Sequence, residues 1–324
     1  MPCGHEFANN SQRAEHMTAS AQIDNTAHTP VWKDYLELCK PKVVLLILFT
    51  ALVGMFLSTE GWVPFNAWFF GLLGIGLAAS AGAALNHWVD EEIDAKMART
   101  HDRPLPQGNI SSRQAVVFSL TLAALSMVIL VVFVNLLTAV LTFASMVGYA
   151  VIYSMFLKRS TPQNIVLGGA AGAAPPVLGW TAVTGELHSE ALLLFLIIFI
   201  WTPPHFWALA IKRVDDYSKA GVPMLPVTHG IAMTKLHILL YTVLLVIITI
   251  MPFLIMMSGT IYLAGALTLG VGFVFYSLKL YRSEGDEYAM KTFGYSIFYL
   301  SALFAFFLLD HYARILIRAF VLEG

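Results

Sequence analysis

The feature that most constrains the fold is a series of long apolar windows. A helix that crosses a bilayer needs about 20 largely apolar residues. Windows of that size lie near residues 43–59, 65–85, 115–134, 136–157, 163–184, 190–211, 235–257, 260–280 and 293–309. Charged residues make up 12% of the 324-residue chain, whereas a soluble domain contains roughly 25%. The sequence therefore predicts an all-α integral membrane protein with nine transmembrane helices.

Basic residues are distributed unevenly between the predicted loops. All but two of the 19 Lys and Arg residues lie before the first window or in and beside alternate loops between the windows. The two exceptions, Arg314 and Arg318, follow the last window. Because cytoplasmic loops are enriched in Lys and Arg, the N-terminus is predicted to be cytoplasmic. The net charge of −1 argues against a general basic surface for nucleic acid, so the expected partner is the lipid bilayer.

The two ends of the chain differ from the apolar windows. Residues 1–30 are polar, lack the apolar core of a signal peptide, and contain acids that mitochondrial transit peptides rarely carry. We expect a disordered cytoplasmic tail there, and a bacterial inner membrane rather than a mitochondrial inner membrane as the location. Residues 311–324 form a short amphipathic tail that is predicted to lie at the membrane interface.

Two predicted cytoplasmic loops, about 86–114 and about 212–234, are longer than the rest. Both are rich in charge, Pro and Gly, and long loops between compact elements are often functional. The first of these loops follows the second predicted helix, and the other follows the sixth, four helices later. This spacing predicts two pseudo-repeated four-helix halves plus a ninth helix, which together form one domain over residues 31–310 around a central cavity.

The first candidate site is Asn86-x-x-x-Asp90-x-x-x-Asp94, at the end of the second window. If the helix continues, these side chains share one face and span about 12 Å. Two acids at this spacing repel each other unless a cation lies between them. Mg²⁺ prefers one or two carboxylates together with phosphate and water oxygens. The motif predicts a magnesium site, and the alternative is a solvated acidic start of a loop.

Basic residues near this motif suggest a phosphate ligand. Arg99 and Arg103 follow the acids, and Lys158 and Arg159 end the fourth window. Guanidinium groups bind phosphate in a forked geometry, so carboxylates and arginines together predict a diphosphate site. Topology alone would also place arginines and an interfacial basic pair at these positions.

A second group of candidates lies in the sixth window and just after it. His205 follows Pro203-Pro204, and a double proline kinks or breaks a helix. An ionisable residue within a membrane is a functional candidate, and a neutral histidine can bind haem iron or move a proton. A structural hydrogen bond between helices is the alternative for His205. Asp215 and Asp216 could complete a metal site from this half, or be solvated acids.

Four stretches of the sequence resemble known membrane enzymes. The stretch NHWVDEEIDAKMARTHDRPLPQG resembles the first aspartate-rich motif of the UbiA-type intramembrane prenyltransferases. More narrowly, KRSTPQNIVLGGAAGAAPPVLGW, WTPPHFWALAI and DDYSKAGVPMLPV resemble the protohaem IX farnesyltransferase (haem O synthase) family. The resemblance is collinear from about Tyr35 to the ninth window, and implies nine transmembrane helices.

This resemblance also implies an activity. Members of the family transfer the farnesyl group of farnesyl diphosphate to a vinyl group of haem b, with addition of water, and the product is haem O. The implied cofactor is Mg²⁺, and the implied partners include haem A synthase or terminal oxidase assembly factors. Two other interpretations stay open, a prenyltransferase for an aromatic quinone precursor and a transporter with an acidic cytoplasmic gate.

The resemblance assigns roles to individual residues of this chain. Asn86, Asp90 and Asp94 would hold Mg²⁺ and farnesyl diphosphate, and His205 matches the histidine of the sixth-helix motif. The second motif is Asp216-Tyr217, with Asp216 as a further candidate metal ligand. The basic positions of the family that are expected to bind diphosphate correspond to Arg99, Arg103, Lys158 and Arg159.

Overall fold

The computed structural model describes residues 31–98 and 100–323, without the side chains of residues 320–323. The predicted tail 1–30 and the candidate Arg99 lie outside this part of the chain. Within the described part there are helices and turns but no strand, which confirms the all-α class. In chain order the helices are α1 Trp32–Leu38, α2 Pro41–Leu57, α3 Phe65–Val89, α4 Glu91–Asp94, α5 Ser112–Phe133, α6 Leu136–Ser160, α7 Asn164–Thr184, α8 Ser189–Lys212, α9 Val214–Lys219, α10 Leu225–Thr228, α11 Gly230–Leu254, α12 Thr260–Arg282 and α13 Ala289–Glu323.

Eight of these helices are each long and apolar enough to cross a membrane: α3, α5, α6, α7, α8, α11, α12 and α13. Helix α2 reaches this standard only together with α1, to which it is joined at a bend of 51°. All eight coincide with apolar windows of the sequence. The chain is therefore a multi-pass membrane protein with eight candidate spans, or nine if α1 and α2 count as one, and the number nine stays a prediction.

The long helices are arranged in a closed series. Each packs against the next in the chain, and α13 packs back against α2. Further contacts join α2 to α7, α8 to α13, and α3 to both α6 and α7. This arrangement brings the first and last long helices together. The two-half repeat and the central cavity stay predictions.

Glycines allow α2 and α7 to approach closely. A Cβ atom on Gly54 would collide with the carbonyl oxygen of Pro176, and one on Gly179 would collide with the carbonyl oxygen of Ala51. Small residues permit such backbone contacts between membrane helices. Gly168 likewise makes room for the ring of Tyr153. At these three positions glycine therefore serves the packing of helices.

Helix α13 continues past the expected start of the C-terminal tail. Asp310 was expected to end the last span, but its carboxylate accepts backbone N–H groups from Gly259 at 2.5 Å and Tyr262 at 3.1 Å. The acid therefore caps the first turn of α12 and does not interrupt its own helix. Residues 311–323 extend α13, and their position at the membrane interface stays a prediction.

The two long loops lie at the same end of the bundle and pack together. Here they cover residues 90–111 and 213–229, because α3 and α5 extend further than the apolar windows. Ile93 and Met97 of the first loop share a buried apolar cluster with Tyr217 and Val222 of the second, beneath Trp207 of α8. We call this end of the molecule the loop end. Apolar packing holds both loops in defined positions there.

Candidate functional site

Three polar residues of the first motif are buried at the loop end. Asn86, Asp90 and Asp94 are 4%, 2% and 3% exposed. The helix does not continue through all three, since α3 ends at Val89 and a short separate helix carries Asp94. The backbone N–H of Asp94 still donates to the carbonyl of Asp90 at 2.7 Å. The motif thus keeps a helical spacing across the break.

Each aspartate is paired with one of the predicted basic residues. Lys158 Nζ lies 2.6 Å from Asp90 Oδ2, and an Arg103 guanidinium nitrogen lies 2.5 Å from Asp94 Oδ2. The lysine and arginine side chains are only 15% and 18% exposed. Charge-assisted contacts of this kind are short and strong, and a buried charge needs such a partner. The structure therefore brings together residues that lie far apart in the sequence.

Asn86 joins these pairs to two residues that sequence reasoning missed. Its Oδ1 accepts from Lys40 Nζ at 2.5 Å, and its Nδ2 donates to Asp90 Oδ2 at 2.7 Å and to Ser154 Oγ at 3.0 Å. Lys40 carried only a topology signal in the sequence. Ser154 gave no signal, because it lies within an apolar window. We call Lys40, Asn86, Asp90, Asp94, Arg103 and Lys158 the charge cluster.

A π-helical segment of α6 presents Ser154 to the cluster. Residues Gly148–Leu157 form this segment, and Ser154 Oγ donates in turn to the Tyr149 carbonyl at 2.9 Å. Tyr149 and Tyr153 stack within the segment, with ring centroids 5.7 Å apart. π-helical turns occur frequently at functional sites. The wider turn changes which side chains of α6 face α3.

One carboxylate oxygen of the cluster has no partner. Asp90 Oδ1 is buried and makes no hydrogen bond with the described residues. An unsatisfied anionic oxygen away from water is costly, and a bound cation would relieve that cost. No group of three or more His, Cys, Asp or Glu side chains in the described part of the chain could hold a metal ion by itself. The donor set fits Mg²⁺, which takes a few carboxylates and completes its shell with phosphate and water oxygens.

The remaining residues of the diphosphate prediction behave differently. Arg159 is exposed and donates to the Val89 carbonyl at 3.0 Å, so it binds the C-terminal end of α3. Asp216 pairs with Arg213 at 3.6 Å. Among the described residues, no hydrogen bond or ion pair joins Asp216 to Asp90 or Asp94. Tyr217 is buried in the apolar cluster that connects the two loops.

His205 lies in a different environment, between aromatic rings of α8 and α13. Its ring stacks on Trp201 and on Phe293, at centroid distances of 4.3 and 4.5 Å. Only 8% of the residue is exposed. Helix α8 stays helical through Pro203 and Pro204, so the expected break in the helix is absent. We call Trp201, His205 and Phe293 the aromatic sandwich.

A serine fixes the orientation and tautomer of His205. Ser296 Oγ donates to the Phe293 carbonyl at 2.6 Å and lies 2.7 Å from His205 Nδ1. Because the hydroxyl hydrogen is already used, we assign the proton of the neutral imidazole to Nδ1, which donates to Ser296. Nε2 then carries a free lone pair. Such a nitrogen can ligate a metal or accept a proton.

Comparisons with known proteins show the family of this chain. The model of the UbiA prenyltransferase family matches residues 47–308. A protein of Thioalkalivibrio sulfidiphilus named "Protoheme IX farnesyltransferase" is 62% identical over 290 residues, which cover 90% of this chain and 96% of the relative. A protein of the same name from Nitrosococcus oceani is 60% identical, covering 87% and 94%. The chain belongs to the protohaem IX farnesyltransferases of the UbiA family.

Solved structures of the family share the fold at low sequence identity. A digeranylgeranylglyceryl phosphate synthase has a TM-score of 0.73 and 21% identity, covering 86% of this chain and 98% of the other. A UbiA homologue from Archaeoglobus fulgidus, bound to DMAPP and Mg²⁺, has a TM-score of 0.60 and 18% identity, covering 85% and 99%. These likenesses support the fold alone, whereas the family model and the two relatives confirm the family membership expected from the motifs.

Proposed function

We propose that the chain transfers the farnesyl group of farnesyl diphosphate to a vinyl group of haem b, with addition of water, to give haem O and diphosphate. The observation that carries the proposal is the charge cluster, in which half-buried cations meet buried carboxylates, one of whose oxygens has no partner among the described residues, at one end of a membrane bundle. Prenyltransferase activity follows from family membership. The choice of farnesyl and haem rests on the relatives' name.

Asp90 and Asp94 are proposed to hold Mg²⁺ together with the diphosphate, with Asn86 orienting Asp90. When bound, the metal would neutralise negative charge on the leaving diphosphate. Asp216 is kept as a candidate ligand, although its present partner is Arg213. Arg99 and Arg159 are proposed to supply further positive charge to the diphosphate. The metal requirement is supported by the free Asp90 oxygen.

The cations of the cluster are proposed to exchange partners when substrate binds. Three basic side chains, those of Lys40, Arg103 and Lys158, meet two carboxylates, those of Asp90 and Asp94. Diphosphate oxygens offer the cations new acceptors of higher charge. Because these donors are already in position, little reorganisation is needed as charge develops on the leaving group.

Cleavage of the farnesyl C–O bond leaves the electron pair on diphosphate and creates an allylic cation. The π electrons of a haem vinyl group then form the new C–C bond. Water adds to the resulting carbocation beside the porphyrin and loses a proton, which gives the hydroxylated side chain. Apolar helices around the farnesyl chain exclude other water from the allylic cation. His205 is proposed to ligate or orient the haem through its free Nε2.

The cellular setting is proposed from the same observations. The relatives named above are bacterial, so we place the protein in the bacterial inner membrane. The uneven distribution of Lys and Arg supports a cytoplasmic N-terminus and a cytoplasmic loop end. Haem A synthase or terminal oxidase assembly factors are proposed as partners that receive the product.

The proposal is tested with purified protein in detergent. Haem b and farnesyl diphosphate are incubated with Mg²⁺, with and without a chelator, and the extracted haems are analysed by mass. We expect a haem that has gained a farnesyl group and water, and we expect it to disappear with the chelator. Prenylation of a phenolic quinone precursor with unmodified haem would contradict the substrate assignment. Turnover of neither acceptor would contradict the activity.

A further inference from the structure

A groove of about 410 Å³ opens beside the charge cluster. Its volume falls in the range of roughly 300–1,000 Å³ that is typical of small-molecule pockets. The groove lies between α1, the beginning of α2 and the end of α3. Its lining residues are Lys33, Leu36, Glu37, Lys40, Pro41, Lys42, Val43, His87 and Arg103.

The charges that line the groove are mostly positive. Four cations face one carboxylate, that of Glu37. Lys40 and Arg103 donate to Asn86 and Asp94 of the charge cluster, so these two residues form a boundary between cluster and groove. Lys33 and Lys42 are exposed at the mouth. Within the described residues neither forms an ion pair with an acid, and both are available to an anionic ligand.

His87 provides a second, independent indication of a ligand. It is 2% exposed and lines the groove. Neither ring nitrogen has a hydrogen-bond partner among the residues that the structure describes. A buried imidazole without a partner is uncommon because its desolvation is not compensated. A hydrogen-bonding group of a ligand in the groove would satisfy it.

The surroundings of the mouth indicate an amphiphilic ligand. Trp32, Leu36, Val43 and Leu45 are 69%, 47%, 54% and 66% exposed. Exposed apolar side chains interspersed with lysines are typical of a surface at the membrane interface. A ligand that enters there meets lysines for its charged groups and apolar side chains for its apolar body.

We propose that this groove binds the carboxylates of the acceptor, the two propionates of haem b. The inference rests on the proposed function and adds a subsite to it. The propionates and the vinyl groups leave opposite edges of the porphyrin. Carboxylates held by Lys33 and Lys42 at the mouth therefore direct the vinyl edge past Lys40 toward the charge cluster, where the farnesyl C–O bond is cleaved. His87 donates a hydrogen bond to the acceptor within the groove.

The test compares haem b with its dimethyl ester, in which both propionates are masked. The variant is the double substitution Lys33→Gln and Lys42→Gln. We expect its KM for haem b to rise about tenfold, since each exposed charge pair contributes about threefold. Its KM for farnesyl diphosphate and its KM for the diester stay unchanged. The matched control, Lys96→Gln with Lys219→Gln, removes two exposed loop lysines outside the groove and leaves all three values unchanged.

His87→Gln gives a second measurement that does not depend on surface charge. We expect a higher KM for haem b, with the KM for farnesyl diphosphate and the thermal unfolding midpoint preserved. A parallel titration of the haem Soret band without farnesyl diphosphate measures binding alone. The native protein should bind haem b more tightly than the diester, and the double lysine variant should bind both equally.

Other outcomes overturn the inference. A rise in the KM for farnesyl diphosphate would place the diphosphate in the groove. Equal effects on haem b and the diester would exclude carboxylate recognition, and a lysine effect present only in nanodiscs of anionic lipid would assign the groove to lipid headgroups. If haem is not farnesylated at all, the proposed function fails, while the Soret titration still decides whether the groove binds the carboxylates.

Discussion

The charge cluster around Asp90 and the aromatic sandwich around His205 are both buried, yet they satisfy their polar groups in different ways. In the cluster, Lys158 pairs with Asp90 at 2.6 Å and Arg103 pairs with Asp94 at 2.5 Å. In the sandwich, one neutral imidazole lies between two rings and makes one hydrogen bond. The first arrangement suits a ligand of high charge, and the second leaves one imidazole nitrogen, Nε2, that can ligate a metal or accept a proton.

This difference predicts that substitutions in the two regions should affect the use of different substrates. Variants of Asp90, Asp94 and Lys158, which do not line the groove, should lose diphosphate binding and turnover while haem binding persists. Variants of the sandwich should weaken the use of haem while diphosphate binding persists.

The largest effect is expected for Asp90→Asn. The substitution keeps the shape of the side chain but removes the charge that Lys158 and a metal require, so kcat/KM should fall by about 10³-fold. Initial rates of product formation, followed by mass analysis, measure the change in kcat/KM. Glu92→Gln, an exposed acid of the same loop, is the matched control and should retain native turnover. Near-native activity of Asp90→Asn would remove the cluster from the mechanism.

A smaller loss is expected for Lys158→Met, about 10²-fold in kcat/KM with a raised KM for farnesyl diphosphate. The substitution removes one donor to the diphosphate and leaves Asp90 without its ion pair. Arg159→Gln is the informative comparison, because Arg159 binds the Val89 carbonyl and should change kcat/KM by less than about threefold. Equal losses in the two variants would show that general positive charge, not the pairing geometry, matters.

The smallest effect is expected for Ser296→Ala. The alanine removes the acceptor of His205 Nδ1, and loss of one hydrogen bond costs about 3- to 10-fold. That loss should appear in the KM for haem b and leave the KM for farnesyl diphosphate unchanged. Ser296→Thr, which keeps a hydroxyl, should restore most of the native value. If alanine raises both KM values together, the serine supports the fold and not the orientation of the imidazole.

The sequence predicted the eight candidate spans of the described residues and every member of the charge cluster except Lys40, for a physical reason. A membrane helix must be apolar over its whole length, so each span leaves a visible window. Charges at the ends of such windows stand out, which is why Asp90, Asp94, Arg103 and Lys158 were identified. Their pairing was not predictable in detail, because it depends on how α3, α6 and the first loop pack.

The missed features depend on tertiary contacts. Lys40 and Ser154 reach Asn86 across 46 and 68 residues of sequence, and no local pattern marks either. The π-helical turn of α6 has no sequence signature in this chain. Asp310 was taken as the end of a span because a charge usually leaves the bilayer, whereas here the backbone of α12 satisfies it. Sequence periodicity does not report such long-range capping.

The most direct test of the account is equilibrium binding of a farnesyl diphosphate analogue that cannot ionise, with and without Mg²⁺. The native protein and the His205→Ala variant should both bind it tightly, and only with the metal. Asp90→Asn should bind about 10²-fold more weakly and lose its response to Mg²⁺. Metal-dependent binding of native strength in Asp90→Asn would contradict the claim that the charge cluster holds the metal and the diphosphate.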